Sequence, residues 1–201
     1  MNILDREKSL VLVIDFQGKL AEIVHESAAV LGATKRLLAL AELFEVPVLL
    51  SEEYPQGLGV TEDSLQQAFD GLSTAKKKIE KASFGCCGDP GFEGAVAELC
   101  QGREPSERQF VIAGIEAHVC VVQTVLELLR KGSQVFVCWE CVSGRGVTYR
   151  RWAIERMQQA GAAIVNHESV GFEWARTKDH PRFREMSRLF REGQIGGEQS
   201  F

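Results

Sequence analysis

Cys120 follows an apolar run ending at Gly114 and opens a segment with helical spacing through Val121, Leu126 and Leu129. A helix N-terminus presents unpaired N–H groups and a partial positive charge, which lowers a thiol pKa and can hold an oxyanion. A cysteine so placed is a candidate nucleophile; free cysteines elsewhere mostly serve as small core hydrophobes. A thiol also needs a base to take and return its proton, and Asp15, closing another apolar run, is of the right type. Lys81 could steady both negative charges. Each has a plainer reading: an Asp after a strand is often a turn or cap residue, and Lys81 lies in the charged stretch Lys76-Lys77-Lys78-Ile79-Glu80-Lys81.

The elements that must position these side chains alternate in type. Leu10-Val11-Leu12-Val13-Ile14 reads as a strand buried on both faces, and runs at 47–51, 109–114, 134–138 and 162–165 repeat the pattern. The segment 76–80 is a further, polar strand candidate. Helical spacing lies between them at 28–44, 91–99, 119–130 and 148–159, with Gly132 and Gly161 placed as C-caps. This alternation predicts one α/β domain over 1–201, a three-layer α-β-α, doubly wound Rossmann-like parallel sheet of about six strands. Its ligand crevice would lie at the carboxyl ends of the strands, where Asp15, Lys81 and Cys120 stand. The Gly- and Pro-containing stretch 54–73 reads as a long excursion over that crevice, and the polar tail 194–201 as frayed.

Composition narrows the function. The 201 residues are 45% hydrophobic with a net charge of −5, and basic residues are scattered, which argues against nucleic acid as a partner. Apolar runs fall short of the roughly 20 residues a membrane helix needs, and the N-terminus does not read as a leader, so a cytoplasmic location without membrane association is expected. The six cysteines read as free thiols. The four histidines, His25, His118, His167 and His180, show no zinc-type spacing, so neither metal nor cofactor is expected.

Other features weigh less. Cys138-Trp139-Glu140-Cys141 spells a redox-type pair, but strand residues alternate faces, so its two thiols need not meet, and no helix begins immediately after Cys138 as a redox motif would want. Cys86-Cys87 sits in a Gly-flanked loop near Lys81. His118 precedes Cys120 on a tight turn that would point it away from the thiol. Phe16, Tyr54, Phe84 and Trp139 follow or end strands and could wall an apolar pocket, although each is also ordinary packing material.

The segment Gly114-Ile115-Glu116-Ala117-His118-Val119-Cys120-Val121 resembles the nucleophile motif of the isochorismatase-like cysteine hydrolase superfamily, which includes nicotinamidases, pyrazinamidases and N-carbamoylsarcosine amidases. Val13-Ile14-Asp15-Phe16-Gln17 resembles its first-strand motif, Lys81-Ala82-Ser83-Phe84 its lysine loop, and Ser143-Gly144-Arg145 with the following Ala153-Ile154-Glu155-Arg156-Met157 the segment after its fifth strand. The resemblance implies a catalytic triad of Asp15, Lys81 and Cys120, and a cis peptide between Ile115 and Glu116 that turns backbone N–H groups near Ala117 and Cys120 toward a substrate oxygen. Glu53-Tyr54-Pro55-Gln56-Gly57-Leu58-Gly59 is similar to the small isochorismatase-domain proteins whose substrates are mostly unassigned and which are generally oligomers. Where the metal-binding nicotinamidases carry Asp-X-His after the second strand, this chain has Ser51-Glu52-Glu53-Tyr54. The resemblance therefore implies a metal-independent hydrolase of a small amide or imide, acting through a thioester as a homo-oligomer. A binding protein of the same fold without turnover and a thiol redox sensor are the alternatives.

Overall fold

The computed structural model describes residues 3–193; the tail expected to fray lies outside the described residues. The first half of the chain runs β1 (Ser9–Ile14), α1 (Gly18–Ile23), α2 (Ser27–Leu43), β2 (Val48–Glu53), α3 (Pro55–Leu58), α4 (Asp63–Asp70), β3 (Lys76–Lys81) and α5 (Pro90–Leu99). The second half runs β4 (Gln109–Ile115), α6 (Val122–Arg130), β5 (Gln134–Ser143), α7 (Val147–Gln159), β6 (Ala163–Val165), α8 (His167–Ala175) and α9 (Phe183–Gly193).

The six strands pair in parallel in the order β3-β2-β1-β4-β5-β6. This is the doubly wound α/β arrangement the alternation predicts. Helices cover both faces, which explains why β1 is apolar at every position from Leu10 to Ile14. Val11 and Val13 join a cluster with Val30, Leu37 and Leu40 of α2 and Val170 and Trp174 of α8. Leu10, Leu12 and Ile14 join the opposite cluster, with Phe92 and Val96 of α5, Val125 of α6 and Ile154 of α7. Burying each such side chain stabilises the fold by about 1.5–3 kcal/mol relative to leaving it exposed. The polar candidate at 76–80 is the edge strand β3, where charged side chains are tolerated because only one neighbour pairs with it.

Chain order reverses between β1 and β4, which run side by side although most of a hundred residues separates them. Gly114 makes that pairing close: a Cβ there would stand 2.6 Å from Ile14 Cβ and 2.9 Å from the Ile14 carbonyl oxygen. The excursion after β2 is not structureless. It folds into α3 and α4, and Glu52 fastens it by accepting hydrogen bonds from the Thr61 N–H and hydroxyl, each at 2.6 Å.

One expectation fails in β5. The strand continues to Ser143 instead of ending at Cys138, and its register with β4 slips: Ile112 pairs with Val137, but Gly114 pairs with Val142. Ala113 alone thus stands opposite Cys138, Trp139, Glu140 and Cys141. In this bulge the alternation of faces breaks down, and Cys138 and Cys141 meet, the Cys141 S–H donating to Cys138 Sγ at 3.3 Å, both buried and not joined by a disulfide.

Candidate active site

In open parallel sheets the crevice lies at the carboxyl ends of the strands where chain order reverses. Here those ends belong to β1 and β4, and the residues that follow them are Asp15 and the turn holding Cys120. Asp15 and Tyr54, which follow β1 and β2, both adopt left-handed backbone conformations, with φ of 55° and 40°. Such conformations are sparsely populated by non-glycine residues and concentrate at functional sites. The peptide bond between Ile115 and Glu116 is cis, and Ile115, Glu116 and Ala117 are all buried beneath the turn. Residues Ala117–Val121 form a single π-helical turn leading into α6.

Lys81 reaches the cluster from the end of β3. Its Nζ donates to Asp15 Oδ2 at 2.7 Å and to the carbonyl oxygens of Ser83 and Phe84, each at 3.0 Å. The three protons of the ammonium are thereby placed. Ser51, from β2, donates to Asp15 Oδ1 at 2.7 Å. The structure thus brings Asp15, Lys81 and Cys120 into one buried group.

It also adds a residue the sequence reading passes over. Glu53 Oε2 accepts the Cys120 S–H at 3.1 Å and lies 3.9 Å from Lys81 Nζ. Its backbone is clamped by Gln17, which accepts from the Glu53 N–H at 2.7 Å and donates to the Glu53 carbonyl oxygen at 3.0 Å. A signal was present in the sequence: Ser51 and Glu53 are two apart on a strand and therefore share a face, while Glu52 takes the other. Thr124 links the site to the loop after β3, donating to the Cys120 carbonyl oxygen at 2.7 Å and accepting from the Cys86 N–H at 3.0 Å.

The electrostatics differ from the expectation of a thiol lowered by a helix N-terminus. Burial, then the charge of Asp15, push the Cys120 pKa above its ordinary value, and Lys81 only partly opposes them. The resting group is a thiol. Burial also raises the Asp15 pKa, against the pull of the Lys81 charge and its hydrogen bond. Burial works to lower Lys81, but the Asp15 charge and hydrogen bond prevail, so the ammonium stays protonated. A carboxylate raised toward neutrality beside a neutral thiol suits proton transfer between them. Atoms of Asp15, Glu53 and Cys120 lie within 4.8 Å of one another, close enough to share a cation. The positive charge in this group is the Lys81 ammonium, bonded to Asp15 at 2.7 Å and 3.9 Å from Glu53.

Two pocket expectations need correction. Phe16 is in the core, 1% exposed, packed with Ala21 and Val24 under the α1–α2 side. Trp139 lies in the β5 bulge, its ring 5.2 Å from the Arg150 guanidinium, and faces a cavity of about 360 Å³ lined by His25, Val147, Arg150 and Ile154. Tyr54 and Phe84 are exposed beside the cluster, tied to it through their backbones: the Tyr54 N–H donates to the Lys81 carbonyl oxygen at 2.9 Å, and the Phe84 carbonyl oxygen receives Lys81 Nζ. His118 stacks on Tyr149 with ring centroids 4.7 Å apart. A larger hollow of about 710 Å³ is lined by His118, Val122, Tyr149 and Trp152 and not by the thiol.

A parallel α/β sheet with a buried polar cluster where strand order reverses defines a doubly wound protein whose site is built at strand ends. Within that class the chain belongs to the isochorismatase domain family, whose profile matches residues 9–169, and members of this superfamily are hydrolases. It is 31% identical over 183 residues to isochorismatase domain-containing protein 1 of Danio rerio, covering 91% of this chain and 61% of that one. The chain thus spans less than two thirds of that relative's length. The structure of MAR1 ribonuclease from Caenorhabditis elegans superposes over 100% of both chains with a TM-score of 0.84 at 28% identity. The YcaC gene product of Escherichia coli, an octameric hydrolase of unknown specificity, superposes over 96% of this chain and 90% of its own with a TM-score of 0.82 at 25% identity.

Proposed function

We propose that the chain, acting as one catalytic unit, is a cysteine-dependent hydrolase of a small amide or imide, with Cys120 as nucleophile, Asp15 as acid and base, and Lys81 as the charge that lets them work together. The observation that carries this reading is the contact set itself: a buried thiol whose sulfur lies within 4.8 Å of the Asp15 carboxylate, which is held at 2.7 Å by a buried ammonium. Asp15 takes the S–H proton as sulfur bonds to the carbonyl carbon, and the π pair moves to oxygen, where backbone N–H groups near Ala117 and Cys120 receive it. When the intermediate collapses the C–N bond breaks, and nitrogen leaves with the proton from Asp15. Water then attacks the thioester, giving one proton to Asp15; the C–S bond breaks, the acid leaves, and Asp15 returns the proton to sulfur. No metal or cofactor enters these steps.

The test is a screen of small amides, imides and carbamoyl compounds with the native chain and Cys120→Ala. Hydrolysis should be abolished in the variant; unchanged turnover would remove the reading. Two observations favour other functions. The Cys138–Cys141 contact at 3.3 Å suits a thiol sensor, and the name of the C. elegans neighbour suggests RNA cleavage. Against RNA stand the net charge of −5 and a nucleophile flanked by two carboxylates and one ammonium. RNA cleavage that survives in Cys120→Ala would replace our reading.

Self-association is part of the proposal. Val147, Tyr149 and Trp152 are exposed on α7, and the E. coli neighbour is octameric. Sedimentation velocity reads this directly, and a monomer at all concentrations would refute it. Among the described residues no helix is long and apolar enough to cross a membrane. The six free thiols suit a reducing compartment such as the cytoplasm, where we place the protein.

A further inference from the structure

Resting on the cysteine-hydrolase reading, the geometry points to Glu53 as the residue that selects the substrate: its carboxylate accepts an N–H from a substituent of the carbon that bonds to the Cys120 sulfur, so the site takes small primary amides or amidines and rejects carboxylates. Glu53 Oε2 is 3.1 Å from Cys120 Sγ, so a substituent on any carbon bonding to that sulfur comes within its reach. Within the charged cluster Glu53 is also the most open group: its side chain is 11% exposed, against 3% for Asp15 and 0% for Lys81. An incoming molecule meets this carboxylate before the pair behind it.

The bonding leaves Glu53 in need of a donor. The Lys81 protons go to Asp15, Ser83 and Phe84, and the Ser51 hydroxyl goes to Asp15. Gln17 holds the Glu53 backbone, not its carboxylate. The hydrogen bond recorded for that carboxylate among the described residues is the thiol S–H, which is surrendered when Cys120 attacks. A substrate N–H replaces it at the moment it is lost. A substrate carboxylate would instead add a third negative charge to two carboxylates and one ammonium. Arg145, in the loop after β5, has its charge paired with the Glu116 carboxylate, Nε to Oε1 at 2.9 Å, so it adds no net positive charge to the site. At such separations under partial burial, charge repulsion of this kind corresponds to about a hundredfold or more in rate or affinity.

Iodoacetamide and iodoacetate are a matched pair of probes, an amide and a carboxylate that alkylate the same thiolate. Their rates at Cys120 are measured by mass spectrometry of the Cys120 peptide, and the ratio is compared with that of glutathione. Any change in thiol pKa cancels in the ratio. We expect the native ratio to favour the amide by about a hundredfold beyond glutathione, and Glu53→Gln to reduce that excess at least about tenfold. Glu53→Asp, which restores the charge, should keep most of it, and thermal melts of each variant confirm that the fold is intact. A native ratio equal to that of glutathione, or one that Glu53→Gln leaves unchanged while Cys120 reacts readily, overturns the role of Glu53 alone. Failure of Cys120 to react with either reagent overturns the nucleophile reading beneath it.

Discussion

Replacing Lys81 by Met tests the energetics of the site without requiring a substrate. Methionine keeps the apolar stem but removes the ammonium, leaving three acceptors without their donor. Phe84 is exposed and Ser83 half-buried, so their carbonyl oxygens can recruit water. Asp15, 2% exposed, cannot do so as readily, and it dominates the outcome. Breaking a buried ion pair from one side costs about 3–5 kcal/mol, a large part of the roughly 5–15 kcal/mol that holds a typical domain. With a urea slope of about 2 kcal/mol per molar, the unfolding midpoint should fall by about 2 M. The loss should also depend on pH. Burial already raises the Asp15 pKa above 3.8 in the native protein, and without Lys81 it rises further. A carboxyl group with a raised folded pKa favours the folded state at low pH. Its penalty appears as pH climbs past the unfolded pKa and is complete above the folded one. The deficit relative to the native chain should therefore narrow from about pH 8 toward about pH 5, and Asp15→Asn in the Lys81→Met background should recover much of it. A deficit below about 1 kcal/mol, or one that is constant with pH, would refute the claim that this pair is buried and coupled.

Two further perturbations probe how the site is framed. Gly114→Ala forces a methyl group against the Ile14 backbone and should cost about 1–3 kcal/mol in thermal or urea unfolding while loosening the β1–β4 approach; an unchanged melting temperature would show that the strands are not so close. Cys138 and Cys141 are buried, and the hydrogen bond from Cys141, followed by burial, holds the Cys138 pKa well up, so neither should react with a chromogenic disulfide in the native protein, whereas unfolding should release all six thiols. Rapid native labelling of this pair would instead support the thiol-sensor reading.

The fold was legible because both faces of the sheet are covered: β1 and β4 read as unbroken apolar runs, and their ends marked Asp15 and the Cys120 turn. The short helices were not legible. Pro55–Leu58 carries no apolar face, and Gly18–Ile23 buries only Ala21, so neither shows periodicity. The β5 bulge escaped because a register slip leaves no trace in composition, and with it went the meeting of Cys138 and Cys141. Phe16 misled because a ring next to a catalytic-type residue reads the same whether it faces a pocket or the core. Glu53 carries no motif of its own, since its segment departs from a metal-binding Asp-X-His, yet the strand period places its side chain on the face of Ser51. The direction of the Cys120 pKa went wrong for a different reason: helix-end electrostatics can be inferred from position, but the depth of burial that outweighs it is a property of the folded assembly.

The two outer strands have a consequence for how the protein behaves in a crowded solution. An unpaired strand is a template on which another chain can extend the sheet. At one border β3 carries Lys76, Lys77, Lys78 and Glu80, with Lys77 and Lys78 paired to Glu98 and Glu52 across neighbouring elements, so a docking strand would have to strip water from this row of charges. At the other border β6 has only three residues, too short a rail for stable addition. Both borders thereby discourage extension beyond the six strands, which leaves helical surfaces such as α7, with Val147, Tyr149 and Trp152 exposed, as the faces better suited to assembly.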